Sequence, residues 1–151
     1  MKSEFDYITV GGNAVTPNTT IYPGGNITGP LTSTTASDNM SFDDFDELAM
    51  NFVVTAVSGT SPTLTVKLVC LDPMESGITP PLTLTLNSAA ITAASTMRFI
   101  IKDGVATVWI NGSATSLGNM NLPMVLQVQF VIGGTSPSFS VVATYEARSH
   151  T

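Results

Sequence analysis

The chain has 151 residues, of which 43% are hydrophobic and only 11% charged, and its formal net charge is −6. That length suits one domain with a substantial core, and the absence of a basic stripe argues against nucleic acid as a partner. A single cysteine, Cys70, and a single histidine, His150, exclude an internal disulfide and leave too few ligands for a zinc site.

The first residues, Met1-Lys2-Ser3-Glu4-Phe5-Asp6, lack the apolar run of a secretory leader. No later stretch is long and apolar enough to read as a membrane-spanning helix. The expectation is a soluble protein made in a reducing cytoplasm, with no membrane partner. Residues 1–40 are interrupted by Gly11-Gly12-Asn13, Pro17-Asn18, Pro23-Gly24-Gly25-Asn26 and Gly29-Pro30, and only Tyr7-Ile8-Thr9-Val10 reads as a short strand. Such a segment buries too little to fold alone. It is either a disordered tail or an extended arm that orders against a neighbouring molecule. The scattered Phe5, Tyr7, Ile21, Tyr22, Ile27 and Leu31 favour the arm and are the candidate interaction residues.

Residues 41–47 are acidic. Ser41 followed by Asp44 resembles a capping box for one helical turn. The carboxylates do not follow the spacing of a calcium loop, so a solvated turn is the expectation and no metal is assigned. Seven acids against Lys2 alone place the whole net charge in residues 1–50. The division expected is residues 1–47 as arm and acidic turn, and residues 48–151 as a β-sandwich domain.

From Leu48 onward the pattern has period two. Met50, Phe52, Val54 and Ala56 alternate, and so do Leu64, Val66, Leu68 and Cys70, which makes Cys70 a small core residue. Between these sets lies Gly59-Thr60-Ser61-Pro62, which returns as Gly134-Thr135-Ser136-Pro137 between Leu126–Ile132 and Phe139–Tyr145. Each copy reads as a hairpin turn. The two copies favour different registers, and a one-residue slip would turn every side chain over unless one strand carries a bulge. Leu82, Leu84 and Leu86 form another strand after Pro80-Pro81. Met97–Lys102 and Val105–Ile110 pair across Asp103-Gly104, a type I′ signal that sets Arg98 opposite Trp109, where a cation–π contact is in reach. Asn111-Gly112 is a further turn, and residues 113–124 read as a loop. Ala89–Ala94 has the composition of a helix but is too short for one. The fold class is therefore all-β: a two-sheet antiparallel sandwich or jelly roll of about eight strands with an extended N-terminal arm.

Catalytic chemistry finds little support. The histidine sits next to the last residue, and outside the first third the acids are Asp72, Glu75, Asp103 and Glu146, of which Asp103 is explained by its turn and Asp72 and Glu75 read as loop punctuation. No enzyme and no cofactor is expected. Trp109, Tyr145 and Tyr22 are the aromatic residues available to line a sugar site, although a lone Trp in a period-two run more often serves packing.

The run Ala56–Leu68, the run Ile132–Val141 and Ala90-Ile91-Thr92-Ala93-Ala94 between them resemble small virion proteins of tailed bacteriophages, often encoded near the major capsid protein. The resemblance spans about residues 48–147. It implies a β-sandwich on the capsid surface that decorates or cements the shell by non-covalent binding to the major capsid protein, with no catalytic residues. The low charge fits a protein packed into a larger assembly, and a homo-oligomer, dimer or trimer, at a symmetry axis follows. Two alternatives remain open: another virion part (tail, baseplate or head–tail connector), or a carbohydrate-binding β-sandwich module.

Overall fold

The computed structural model describes residues 2–18, 26–71 and 82–149. Eleven strands are present among them: β1 (Lys2–Tyr7), β2 (Thr9–Val10), β3 (Asn13–Ala14), β4 (Thr35–Ala36), β5 (Met40–Ser41), β6 (Glu47–Cys70), β7 (Leu82–Thr85), β8 (Ser95–Lys102), β9 (Val105–Ile110), β10 (Ser113–Asn119) and β11 (Val125–Ser149). There is no helix among the described residues. The fold is all-β and antiparallel. Nine strands share one hydrogen-bonded network, and β2 and β3 form a small second sheet.

Two strands organise the rest. β6 and β11 pair antiparallel from Leu126↔Cys70 to Arg148↔Glu47. Their first and last halves have different neighbours. One end gives the order β1-β11-β6-β8-β9-β10. At the other end β6 takes β7 on its free side, and β11 takes β4 and β5. The ribbon cannot be straight. Phe130 lies opposite Val66, and an extended strand from Phe52 to Val66 would span about 46 Å. Yet the Phe52 and Phe130 rings meet edge-on at 6.0 Å between centroids. The ribbon therefore folds over, and its two halves face each other as the layers of a sandwich. Leu48, Met50, Phe52 and Val54 from one half, and Leu64, Val66, Leu68 and Cys70 from the other, meet in a single core.

The fold-over lies at the repeated motif, and here the sequence expectation is corrected. Neither Gly-Thr-Ser-Pro copy closes a hairpin of its own. Each lies inside a continuous strand and crosses the other copy, with Thr135 opposite Thr60. The same backbone pattern occurs twice: φ is 113° at Gly59 and 48° at Ser61, then 107° at Gly134 and 46° at Ser136. Positive φ on a glycine with an unpaired neighbour is bulge chemistry, which bends a strand and sharpens its twist. The register conflict is settled nearby. Ser140 pairs with Ala56 but Val141 pairs with Val54, so Thr55 is an extra residue on β6. Ala56, expected inside, is consequently exposed.

The β8–β9 hairpin has the expected register, with Ile101↔Ala106, Phe99↔Val108 and Arg98↔Trp109. Asp103 and Gly104 take φ of 52° and 74°, as a type I′ turn requires. The expected cation–π contact is absent; among the described residues it is Lys2 that sits over a ring, 5.1 Å from the centroid of Phe45. Residues 113–119, expected as loop, form strand β10 on β9. Small hydroxyl residues lack an apolar pattern, but their backbone pairs as well as any other once Asn111-Gly112 returns the chain.

The N-terminal segment also departs from expectation. It docks on the protein's own body rather than remaining apart as an arm. β1 pairs with the end of β11 from Lys2↔Ser149 to Tyr7↔Thr144. Ile8, Val15, Leu31 and Phe42 enter the core, so the packing shows no division at residue 47. The reason is spacing: single apolar residues dispersed between turns fill separate gaps in a preformed sandwich and need no periodic face of their own. Asp38 pins this segment. Its carboxylate accepts from the Gly12 N–H (2.8 Å), the Thr9 hydroxyl (2.8 Å) and the Gly11 N–H (2.9 Å). The acidic run forms a turn, with the Phe45 N–H donating to the Phe42 carbonyl at 3.1 Å, and no helical turn follows Ser41.

Candidate functional site

The residues first singled out do not converge. Phe5 is 65% exposed on β1, and Tyr7 and Ile27 are half-buried. Leu31 is a core residue whose N–H and carbonyl both pair with Phe139, at 2.8 and 2.9 Å. Ile21 and Tyr22 lie outside the described residues, as do Asp72, Glu75, Pro80, Pro81 and His150. Tyr145 is removed from any sugar site, because it faces the core, meets Phe42 edge-on at 5.5 Å and donates its hydroxyl to Glu4 at 2.8 Å.

Topology instead assembles a surface. Residues directly opposite in antiparallel strands share a face. Following the registers across the six-stranded layer gives Tyr7–Thr144–Asn51–Arg98–Trp109 as one transverse row. The next row is Phe5–Glu146–Ala49–Ile100–Thr107. Both lie on the solvent side, since the alternate positions Met50, Phe99 and Val108 are buried. Ala49, being small, leaves a shallow cleft between larger neighbours. Its walls are Arg98, Lys102, Arg148, Glu47 and Glu146, and its floor is Ala49 and Ile100.

Three of the chain's five basic residues line this cleft. Two of them are engaged: Arg148 with Glu146 at 2.6 Å and Lys102 with Glu47 at 4.0 Å. Arg98 is exposed and makes no ion pair or side-chain hydrogen bond among the described residues. The cleft thus has one unspent guanidinium beside an aromatic side chain. The sequence already gave Arg98 opposite Trp109, but Tyr7, Thr144 and Asn51 join them only through strand order, which no local pattern reveals.

Other groups are structural. Cys70 is buried, and desolvation pushes its thiol up to about 11, so it stays protonated and unreactive. The acidic turn forms no metal-binding cluster among the described residues. Its contact from Lys2 to Asp44, 3.2 Å with both side chains mostly exposed, adds little stability.

No family model matches the chain, and no curated protein matches it. Solved structures with a similar course include a Bacillus licheniformis β-glucanase, at TM-score 0.39 and 8% identity over 78% of this chain and 71% of that one. A second is the alginate lyase AlgAT5 of polysaccharide lyase family 7, at TM-score 0.39 and 8% identity over 83% of this chain and 72% of that one.

Proposed function

We propose that the protein is a structural component of a tailed-phage virion that decorates or cements the capsid by binding major capsid subunits without covalent bonds. The resemblance of its Gly-Thr-Ser-Pro runs to small virion proteins suggests the setting, and one structural observation supports attachment. Strand β10, Ser-Ala-Thr-Ser-Leu-Gly-Asn, ends the six-stranded layer with no charged residue and no partner on its outer side among the described residues. Free proteins usually protect such an edge with charge, proline or bulges. The opposite edge, β1, carries Lys2, Glu4 and Asp6. β10 has only a bulge between Ser116 and Gly118, and Ser113–Ser116 pair in regular register with β9, so their outer edge can accept an added strand. Many copies on a repeating lattice make a weak contact of this kind sufficient.

The test is co-sedimentation with empty heads. The protein should pellet with the shells, and Ala114→Lys should reduce the bound fraction while leaving the fold intact. A protein that stays in the supernatant refutes the proposal. A dimer or trimer at a symmetry axis accompanies this reading; a strictly monomeric species, both free and on the particle, contradicts that part.

A further inference from the structure

We propose that the solvent face of the six-stranded layer is a binding site for a short acidic oligosaccharide, with Arg98 taking a sugar carboxylate and Trp109 and Tyr7 as the stacking surfaces at the two ends. The inference goes beyond capsid attachment and does not depend on it.

Length comes first. Tyr7, Thr144, Asn51, Arg98 and Trp109 stand on five successive strands. Adjacent strands lie 4.7–4.9 Å apart, so the row spans about 19 Å. That is the reach of several linked sugars rather than one. Composition is second. An aromatic ring at each end, with a hydroxyl, an amide and a guanidinium between, offers apolar faces for sugar rings and donors and acceptors for their hydroxyls. Tyr7, Thr144, Asn51 and Trp109 are half-buried, so their neighbours hold them and little freedom remains to be lost on binding.

Charge selects the ligand class. Glu146 and Glu47 are already engaged by Arg148 and Lys102. The unpaired cation is Arg98, whose planar fork matches a carboxylate in bidentate fashion. The flanking carboxylates repel a polymer that carries closely spaced anions. A chain that brings one carboxylate beside an apolar ring face fits: a uronate unit with its ring against Trp109 and its carboxylate on Arg98. The two residues are direct cross-strand partners, and side chains in such pairs start about 5 Å apart.

The chain holds one tryptophan, so its fluorescence reports this face alone. Full-length protein should be titrated with an aldotetraouronic acid, a xylotriose that carries a single glucuronate, with xylotetraose as the neutral control and pentaglutamate as the acidic peptide control. The expected result is a saturable change with the aldotetraouronic acid and a much weaker one with either control. Arg98→Gln should weaken binding about tenfold or more. Trp109→Phe, which keeps an apolar ring, should retain part of the affinity that Trp109→Ala loses, both followed by amide NMR shifts. Lys67→Gln, on the portion of β6 in the other layer, should bind like wild type. No saturable response overturns the proposal, as does an equal response to pentaglutamate or undiminished binding by Arg98→Gln. Binding to empty heads is a separate readout, so either reading can fail alone.

Discussion

Alanine at Gly59 or Gly134 tests whether the crossing of the two copies holds the sandwich together. A Cβ on Gly59 would lie 2.7 Å from the Ser136 carbonyl oxygen and 2.9 Å from Pro137 Cα. On Gly134 it would meet the Ser61 oxygen at 2.7 Å and Pro62 Cα at 2.9 Å. These obstacles are backbone, so no rotamer change relieves them. Two costs add. Holding a non-glycine residue at φ near 110° costs about 1–3 kcal/mol, and forcing an atom into a filled space costs about 1–3 kcal/mol more. Each variant should therefore lose roughly 2–6 kcal/mol, a large part of the 5–15 kcal/mol typical of a domain. Gly118→Ala separates the terms, because its φ is 99° but nothing lies within 4 Å of the added carbon. It should lose only the backbone part. Gly133→Ala meets a side-chain oxygen, Thr63 Oγ1, which can rotate away, so it should be the mildest of those with a contact. Urea denaturation of the four variants gives the ranking. If Gly59→Ala and Gly134→Ala cost no more than Gly118→Ala, the close crossing is not a structural constraint and the reasoning fails.

Asn87→Leu should destabilise by about 1–3 kcal/mol in the same assay, because the buried Val66 N–H donates to Asn87 Oδ1 at 2.8 Å and would lose that acceptor. The Asp38 carboxyl is held below its ordinary value of 3.8, chiefly by the Gly12 N–H and then by Thr9, so its contribution is present above that value and lost as pH falls through the lower folded one; Asp38→Asn should flatten the acid limb of a stability–pH curve. Deleting residues 2–18 should abolish cooperative thermal unfolding measured by circular dichroism, since it strips Ile8 and Val15 from the core and β1 from β11; a deletion that unfolds like the full chain would restore the picture of a detachable arm.

What was legible followed from local chemistry. Asp103-Gly104 fixes its own turn, and the period-two runs fix which residues of β8 and β9 face inward. The Gly-Thr-Ser-Pro copies were legible as places where the chain bends, because glycine and the residues after it allow positive φ. Their partner was not legible. A turn signal states that direction changes but not whether the flanking runs pair with each other or with a distant strand, and here the distant strand, some 75 residues away, satisfies the backbone. The N-terminal segment misled for a related reason. Ile8, Leu31 and Phe42 are isolated in sequence, and periodicity cannot register a residue that plugs a hole built by others. The candidate binding face was half visible: Arg98 beside Trp109 follows from one hairpin, while Tyr7, Thr144 and Asn51 require the order of five strands.

The repeat itself has a physical reading that needs no duplicated domain. Two antiparallel strands are related by a local two-fold axis. Adding 75 to a β6 position and subtracting 75 from its β11 partner carries Ser58↔Ser138 into Thr63↔Gly133, which is another observed pair. The axis therefore passes between the two motifs, and both strands must bend there in the same manner. That condition demands the same residues on each: a glycine free to take φ above 100°, a serine that tolerates the left-handed region and a proline that has no N–H to give to the ladder where the pairing is interrupted. The surroundings follow the same symmetry. β8 flanks β6 in one layer where β4 and β5 flank β11 in the other, and β1 beside β11 corresponds to β7 beside β6. β9 and β10 have no counterpart in that scheme. They widen one layer, and with it they create both the uncharged edge assigned here to capsid attachment and the Trp109 end of the face assigned to an acidic sugar. The attachment edge and the aromatic end of the sugar face thus lie where the molecule departs from its own symmetry, while Arg98 and the rest of that face stand on strands that obey it.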